Sequence, residues 1–357
     1  MKIFQLIQKP QLRGAEVFAC QLSTHLNSLG HESIIVPVFG GNVTLPFDGT
    51  ILPLNANPAK RFADTKGWKQ LATLIRQHNP DVIQANAGDT LKYAACSKML
   101  HGWKQPVVFR NASTISLYIK SAPAKLLNGF FLKKVDYVAS VSNVSKDDFL
   151  TLYPAFKTRI SKLPIGVNEV SLQPKKQSPN PILIHVGGFT YEKNHTGLIS
   201  IFEKVLQRHK DAVLWLVGDG PLRSSVEELV KSKGLDGKVT FYGFRQDALQ
   251  LQNQANVLLL PSIIEGLPGV ILEAFYCKTA VVAYNVGGIK EVVTDATGAL
   301  VPLHNEQEFA DRVCAIVDDK RSVAAKVDNS YELVRNEYMN RVIAGRFADV
   351  YKSVAGK

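Results

Sequence analysis

The run Val257-Leu-Leu-Leu-Pro-Ser-Ile-Ile-Glu-Gly-Leu-Pro-Gly-Val-Ile-Leu-Glu273 passes from an unbroken apolar stretch, through a turn rich in glycine and proline, into a second apolar stretch. Four successive apolar residues without alternation suit a strand buried on both faces, as in a parallel sheet covered by helices. The same order of strand, turn and helix recurs outward in both directions. Toward the C-terminus, strands are expected at Ala280–Asn285 and Ala299–Pro302. Toward the N-terminus they are expected at Lys238–Gly243, Ala212–Gly218 and Pro181–Gly187, and further back at Tyr137–Ser142, Pro106–Arg110, Asp81–Asn86, Ser33–Phe39 and Lys2–Gln8. A helical pattern over Ala15–Leu29, closed by Gly30, joins the first two.

The chain has 357 residues, too long for one ordinary core and suited to two domains of roughly 150–180 residues. Leu163–Pro181 carries four prolines and little periodicity, so it reads as a linker. The expected division is a first domain over 1–170 and a second over 171–336, with a C-terminal helix over 337–357 packing back on the first. Apolar residues at 46% and charged residues at 20% exclude wholesale disorder. No apolar run approaches the ~18 residues of a membrane span. Met1–Gln8 lacks the pattern of a signal peptide. The cysteines Cys20, Cys96, Cys277 and Cys314 form no pair with zinc or disulfide spacing and read as reduced, buried thiols. The net charge is lopsided. Residues 1–172 hold 20 basic and 10 acidic side chains (+10), and residues 173–357 hold 22 and 21 (+1). The first half is therefore expected to meet an anionic partner or surface.

Glycines crowd the ends of the expected strands: Val186-Gly-Gly188, Gly218-Asp-Gly220, Gly243, Gly266-Leu-Pro-Gly269 and Gly287-Gly288, with Arg13-Gly14 in the first half. In open parallel sheets ligands bind beyond the carboxyl ends of the strands. Glycine admits close backbone approach there, and helix N-termini offer free N–H groups to phosphate. A phosphate-bearing ligand between the domains follows as the expectation. It is not a dinucleotide, since no G-x-G-x-x-G occurs, and no P-loop or D-x-D is present. With no carboxylate pair for a metal, phosphate charge must be met by helix N-termini and basic side chains.

Glu265 and Glu273 bracket Gly266–Gly269, the first in the loop and the second expected in the first turn of the next helix. Ionised carboxylates are pure acceptors and can grip vicinal hydroxyls. The competing reading makes Glu273 a helix N-terminal charge and Glu265 a solvated loop residue.

Pro261-Ser-Ile-Ile-Glu-Gly-Leu-Pro-Gly-Val-Ile-Leu-Glu-Ala274 resembles the E-x7-E signature of family-4 retaining glycosyltransferases of the group 1 type. Gly14-Ala-Glu16, His185–Asn194, Val217–Leu222 and Val286–Val292 are similar to that family's other motifs, in the same order, so the likeness covers nearly the whole chain. The resemblance implies an α/β protein of the GT-B fold: two Rossmann-like, doubly wound parallel-sheet domains facing a central cleft. The first would bind acceptor and the second a nucleotide-sugar donor. By the same resemblance Glu273 would hold the donor ribose, and Glu265 the transferred sugar. Lys193 would neutralise the diphosphate, with Glu265 and Lys193 the catalytic pair. Backbone of Gly266, Leu267, Pro268 and Gly269 would cradle sugar and phosphate. Phe244 and Arg245 would border the base, and Gly14 would lie at the N-terminal phosphate-side loop. Neither a metal nor another cofactor is implied.

This chain departs from the family at two places. Gly188 stands where an arginine is usual, and Arg13, Arg110, Arg223 or Lys290 are candidates to replace it. Members also carry a histidine near the end of the fourth strand, where the run Gln84-Ala-Asn-Ala-Gly-Asp89 offers Asn86 or Asp89. Asn86, Asp89 and Arg110 are thus the acceptor-side candidates, and His185 is expected to pack within a strand end. Tyr118–Lys134 mixes cations with bulky apolar residues, as an amphipathic helix on anionic lipid would; a core helix with solvated lysines would read the same. No nucleic-acid motif is present. The expected function is transfer of a sugar to a glycan or lipid-linked acceptor, in envelope polysaccharide or glycolipid synthesis on the cytoplasmic face of the membrane. The alternatives are a GT-B epimerase or sugar-phosphate synthase, or an inactive nucleotide-sugar-binding protein.

Overall fold

The computed structural model describes every residue except Gln177, Lys320 and Lys357. Part of the expected linker and the last residue of the expected terminal helix therefore lie outside the described residues. The chain divides into two compact units, residues 1–168 with 339–357, and residues 169–338.

The first unit runs β1 (Lys2–Ile7), α1 (Gly14–Ser28), β2 (Glu32–Pro37), α2 (Thr65–His78), β3 (Val82–Ala85), α3 (Gly88–His101), β4 (Val107–Asn111), α4 (Ala122–Leu132), β5 (Tyr137–Ser140), α5 (Asn143–Leu152) and β6 (Ile160–Lys162). The sheet is parallel, in the order β2-β1-β3-β4-β5-β6. Its strands are buried on both faces because each apolar run meets helices above and below: Phe4, Leu6 and Ile83 face one core, and Ile3, Val82 and Val108 the other. Strand β6 escaped the sequence reading. It has three residues, all half-buried at the sheet edge, and no apolar run to announce it.

The second unit runs β7 (Ile182–Val186), α6 (His195–Arg208), β8 (Val213–Val217), α7 (Arg223–Ser232), β9 (Val239–Gly243), α8 (Ala248–Gln254), β10 (Val257–Leu260), α9 (Gly269–Tyr276), β11 (Ala280–Tyr284), β12 (Ala299–Val301), α10 (Glu306–Asp318) and α11 (Ala324–Glu337). Its sheet is also parallel, in the order β12-β11-β10-β7-β8-β9. The chain then returns to the first unit as α12 (Asn340–Ala355). There Ile343, Phe347 and Tyr351 pack with Phe18, Leu22 and Leu26 of α1, and the Asn340 N–H donates to the Val167 carbonyl at 2.9 Å.

Each sheet has one place where strand order reverses: between β1 and β3 in the first unit, and between β7 and β10 in the second. There the following helices leave on opposite faces and open a crevice at the carboxyl edge. A side-chain contact spans both points. Gln8, just after β1, donates to Asp89, just after β3, at 2.8 Å. Lys193, after β7, meets Glu265, after β10, at 2.5 Å.

Candidate active site

In the second unit the sheet order places five turns along one edge: 285–289, 261–269, 187–194, 218–222 and 243–247. The two catalytic candidates sit at its middle, where β7 and β10 are neighbours. The Lys193 side chain is 22% exposed and that of Glu265 10%, and they form an ion pair. Glu265 is thus no solvated loop residue. Asn194 fixes the lysine's turn. Its backbone is left-handed (φ 53), its Oδ1 caps α6 by accepting from Gly197, and its Nδ2 donates to the Pro261 carbonyl at the base of the glutamate loop. Sequence reading passed over Asn194, although an asparagine three residues before a helical glycine is an N-cap signal.

The turns also grip one another. Gly218 has φ +136, and a Cβ there would lie 2.0 Å from the Gly187 carbonyl oxygen. Gly287 has φ +54, and a Cβ there would lie 1.9 Å from the carbonyl oxygen of Glu265. The Gly288 N–H donates to the Gly266 carbonyl at 2.6 Å. These glycines therefore serve backbone-to-backbone packing, which the sequence reading had assigned to ligand approach alone. Gly287→Ala is expected to destabilise the chain by about 1–3 kcal/mol, through left-handed strain plus displacement of the Glu265 loop. Thermal unfolding reads this directly, and an unchanged melting temperature would contradict it.

Glu273 lies in the second turn of α9, not the first, so it is no helix N-terminal charge. It is half-buried, and burial pushes its carboxyl above the ordinary range, partly offset by the Gln252 amide donating at 3.2 Å. Helix α9 begins after Pro268 with no side-chain cap, which leaves the first backbone N–H groups, from Gly269 on, without an intrahelical or side-chain partner.

Around this centre the other candidates divide. Gly188 has ordinary backbone and room at Cβ, with the nearest atom, the Asp219 carbonyl oxygen, at 3.5 Å. Arg223 is held by Glu227 at 2.7 Å and Asp219 at 3.3 Å, as a helix-surface cation. Arg245 is paired with Asp247 by two bonds of 2.7 Å, while Phe244 beside it is half exposed. His185 is fully buried, with Nδ1 on the Leu259 carbonyl at 2.9 Å. His195, unremarked in the sequence, stacks on Phe189 at 4.0 Å and meets His185 edge-on at 4.8 Å. Burial pushes His185 down to about 4 and His195 to about 2, so neither supplies positive charge at neutral pH.

In the first unit the run Gln84–Asp89 spans the end of β3 and the start of α3, and β4 ends at Arg110-Asn111. Both strand ends lie where the sequence reading put them, Asn86 after β3 and Arg110 in β4. Asn86 is buried and its amide is spent within the sheet: Nδ2 donates to Gln5 and to the Leu6 carbonyl, and Oδ1 accepts from Gln84. Asp89, in the first turn of α3, accepts from Gln8 and from Lys92 at 2.8 Å each. Burial raises its carboxyl, but Lys92 and Gln8 outweigh it and hold the group below the usual range. Arg110 is buried, its guanidinium 4.2 Å over the Phe18 ring, with Nε and Nη1 unpartnered. Desolvation brings it down to about 10, against the pull of Glu16, so it stays charged at neutral pH. Gly14 opens α1 with free space around it and no side-chain cap. Among the described residues, no three His, Cys, Asp or Glu side chains are placed to hold a metal ion, and no helix is long and apolar enough to cross a membrane.

Two family models match the chain: Glycosyltransferase Family 4 over residues 12–170, and Glycosyl transferases group 1 over residues 168–333. Alpha-D-kanosaminyltransferase of Streptomyces kanamyceticus is 29% identical over 177 residues, covering 49% of this chain and 46% of that protein. The 2-deoxystreptamine glucosyltransferase of the same organism is 30% identical, covering 51% and 48%. The matched part thus spans about half the length of these curated relatives. HepE of Anabaena in complex with UDP-glucose superposes with a TM-score of 0.85 at 20% identity, over 99% of this chain and 100% of HepE. The fold is GT-B.

Proposed function

The chain belongs to the glycosyltransferases of group 1 and family 4, and from that premise we propose that it moves a sugar from a nucleotide-diphosphate sugar to a glycan or lipid-linked acceptor with retention of anomeric configuration. The observation that carries the reading is the Lys193–Glu265 pair at the strand-order reversal of the second sheet. A cation and an anion side by side there match a donor that presents phosphate next to sugar hydroxyls. On donor binding, Lys193 exchanges Glu265 for the diphosphate, and Glu265 accepts from the sugar. Glu273 accepts from the ribose, and the uncapped start of α9 donates to phosphate. The bond from the anomeric carbon to the diphosphate breaks, the acceptor oxygen bonds to the same face of that carbon, and the acceptor proton passes to the leaving diphosphate. Phosphate charge is met by Lys193 and backbone dipoles, so the reaction needs no metal cofactor. Asp89 and Arg110 are the acceptor-side candidates. The place of action is the cytoplasmic side of an envelope glycan or glycolipid pathway, a reading that rests on the basic first half.

The test is incubation with labelled nucleotide sugars, UDP-glucose first because HepE binds it. Slow donor hydrolysis that persists in EDTA is expected. Complete loss on chelation, restored by manganese, would overturn the metal-free account. One observation favours a second reading, an inactive nucleotide-sugar-binding protein: Gly188 removes a cation from the leaving group. Gly188→Arg separates the two, because the position has room for a side chain. Saturable donor binding with no turnover in the parent, and turnover in the variant, would establish the inactive reading.

A further inference from the structure

Helix α4 (Ala122–Leu132) is attached to the first unit by one face only. Phe131 and Leu132 enter the core, Asn128 donates to the Tyr153 hydroxyl at 3.2 Å, and that hydroxyl donates to the Lys125 carbonyl at 3.1 Å. The opposite face carries Leu126 at 74% exposure, Leu127 at 51% and Phe130 at 47%. Leu126, Phe130 and Lys133 follow one another at helical spacing, so they form a single outward stripe. Helices of soluble domains turn such side chains inward. Here three of them stay outside, and only the last turn, at Phe131 and Leu132, packs as a core helix with solvated lysines would. Just before it, Leu117 is also exposed.

The charges carried by the segment itself have one sign, although Asp148 of α5 reaches the turn before it, accepting from the Ser116 N–H at 3.0 Å. Between Asn111 and Asp136 the chain has no carboxylate, and it has Lys120, Lys125, Lys133 and Lys134. Lys120, Lys125 and Lys133 are exposed. An apolar stripe edged by unopposed cations is complementary to a surface that offers hydrocarbon beneath a layer of negative charge. A protein partner would offer neutralising carboxylates and a shaped apolar pocket instead. A second copy of this chain would bring the same lysines against themselves, with like-charge repulsion.

We propose that α4 and the turn before it dock the first unit on an anionic lipid bilayer, with Leu126, Leu127 and Phe130 entering the acyl boundary and the lysines resting at the headgroups. The docking does not depend on the catalytic reading, since it uses none of the residues assigned to donor or acceptor.

The experiment is co-sedimentation of the full chain with vesicles of phosphatidylglycerol and phosphatidylcholine, against pure phosphatidylcholine. Each lysine near an anionic surface contributes enough that partitioning is expected to be at least about tenfold stronger on the mixed vesicles, and to weaken with added salt. Substituting Leu126, Leu127 and Phe130 together by serine is expected to lower partitioning on mixed vesicles at least about tenfold, since all three lose buried apolar surface. The three side chains are exposed, so thermal unfolding should be unchanged, and UDP binding by the second unit serves as a control for integrity. Equal partitioning on both vesicle types, or unchanged partitioning of the triple variant, overturns the proposal. So does a parent that is dimeric and indifferent to vesicles but becomes monomeric in the triple variant, which would make the face a contact between copies.

Discussion

Lys193→Ala is expected to lower turnover by about two to three orders of magnitude, while nucleotide affinity changes by about tenfold or less. The asymmetry follows from where charge develops. In the ground state one diphosphate oxygen is still bonded to the sugar and uncharged, and the charge on the others is met by the backbone donors at the start of α9. As the bond to the anomeric carbon breaks, a full negative charge moves onto the leaving group. Lys193 is the cation at the strand-order reversal itself, both buried histidines are neutral, and Arg223 and Arg245 are engaged by carboxylates. The companion variant gives the opposite sign in binding. In the unliganded chain Lys193 is paired with Glu265 at 2.5 Å, so a nucleotide must compete with that carboxylate. Glu265→Gln removes the competitor and leaves the lysine free. Affinity for the nucleotide diphosphate alone is then expected to rise by about threefold to tenfold, while turnover falls because the sugar loses a charged acceptor. Calorimetric titration with UDP and steady-state kinetics on both variants read all four quantities. If both variants weaken UDP binding equally, the pair is structural and the exchange of partners does not occur.

The strands of the second unit were readable because apolar runs such as Val257–Leu260 tell the same story as the glycine turns that follow them. The motif positions of Lys193, Glu265 and Glu273 followed from the same text. The ion pair did not, because it depends on strand order: β7 and β10 are 75 residues apart in sequence (257 − 182) and adjacent in space. For the same reason the glycines were read as openings for ligand, when Gly218 and Gly287 admit a neighbouring turn. In the first unit, short half-buried strands carry little signal, which hid β6. Asn86, Asp89 and Arg110 were all named from the sequence, but it did not show that the Asn86 amide is used by Gln5, Gln84 and Leu6. Exposure was not legible at all. The periodicity of α4 describes an amphipathic helix equally well with its apolar stripe turned inward or outward, and only packing against Tyr153 and the core decides the face.

Glu273→Gln is expected to stabilise the fold and to weaken donor binding at once. Burial lifts the Glu273 carboxyl above its ordinary range, with only the Gln252 amide opposing. The folded chain therefore holds that proton more tightly than the unfolded chain does. In the interval between the ordinary and the raised value, the folded state binds more protons, so stability falls as pH rises, and the full cost persists above the raised value. An amide of the same shape removes this cost while still accepting from Gln252. The variant's melting temperature should thus exceed the parent's at neutral pH, with the difference shrinking as pH falls through the interval from the raised value to the ordinary one, and constant below it. Binding should move the other way. The ionised carboxylate offers a charged oxygen to each of two ribose hydroxyls where the amide offers one neutral oxygen, and replacing it forfeits charge-assisted bonds of about 1.5–3 kcal/mol, roughly tenfold or more in affinity for UDP. Parental affinity should decline as acid protonates the group, beginning at a higher pH than an ordinary glutamate would give, and the variant should show no such decline. A carboxylate that lowers stability is expected where function holds it in place. A variant that melts higher yet binds UDP as tightly as the parent would remove Glu273 from the donor site and leave its burial without a purpose.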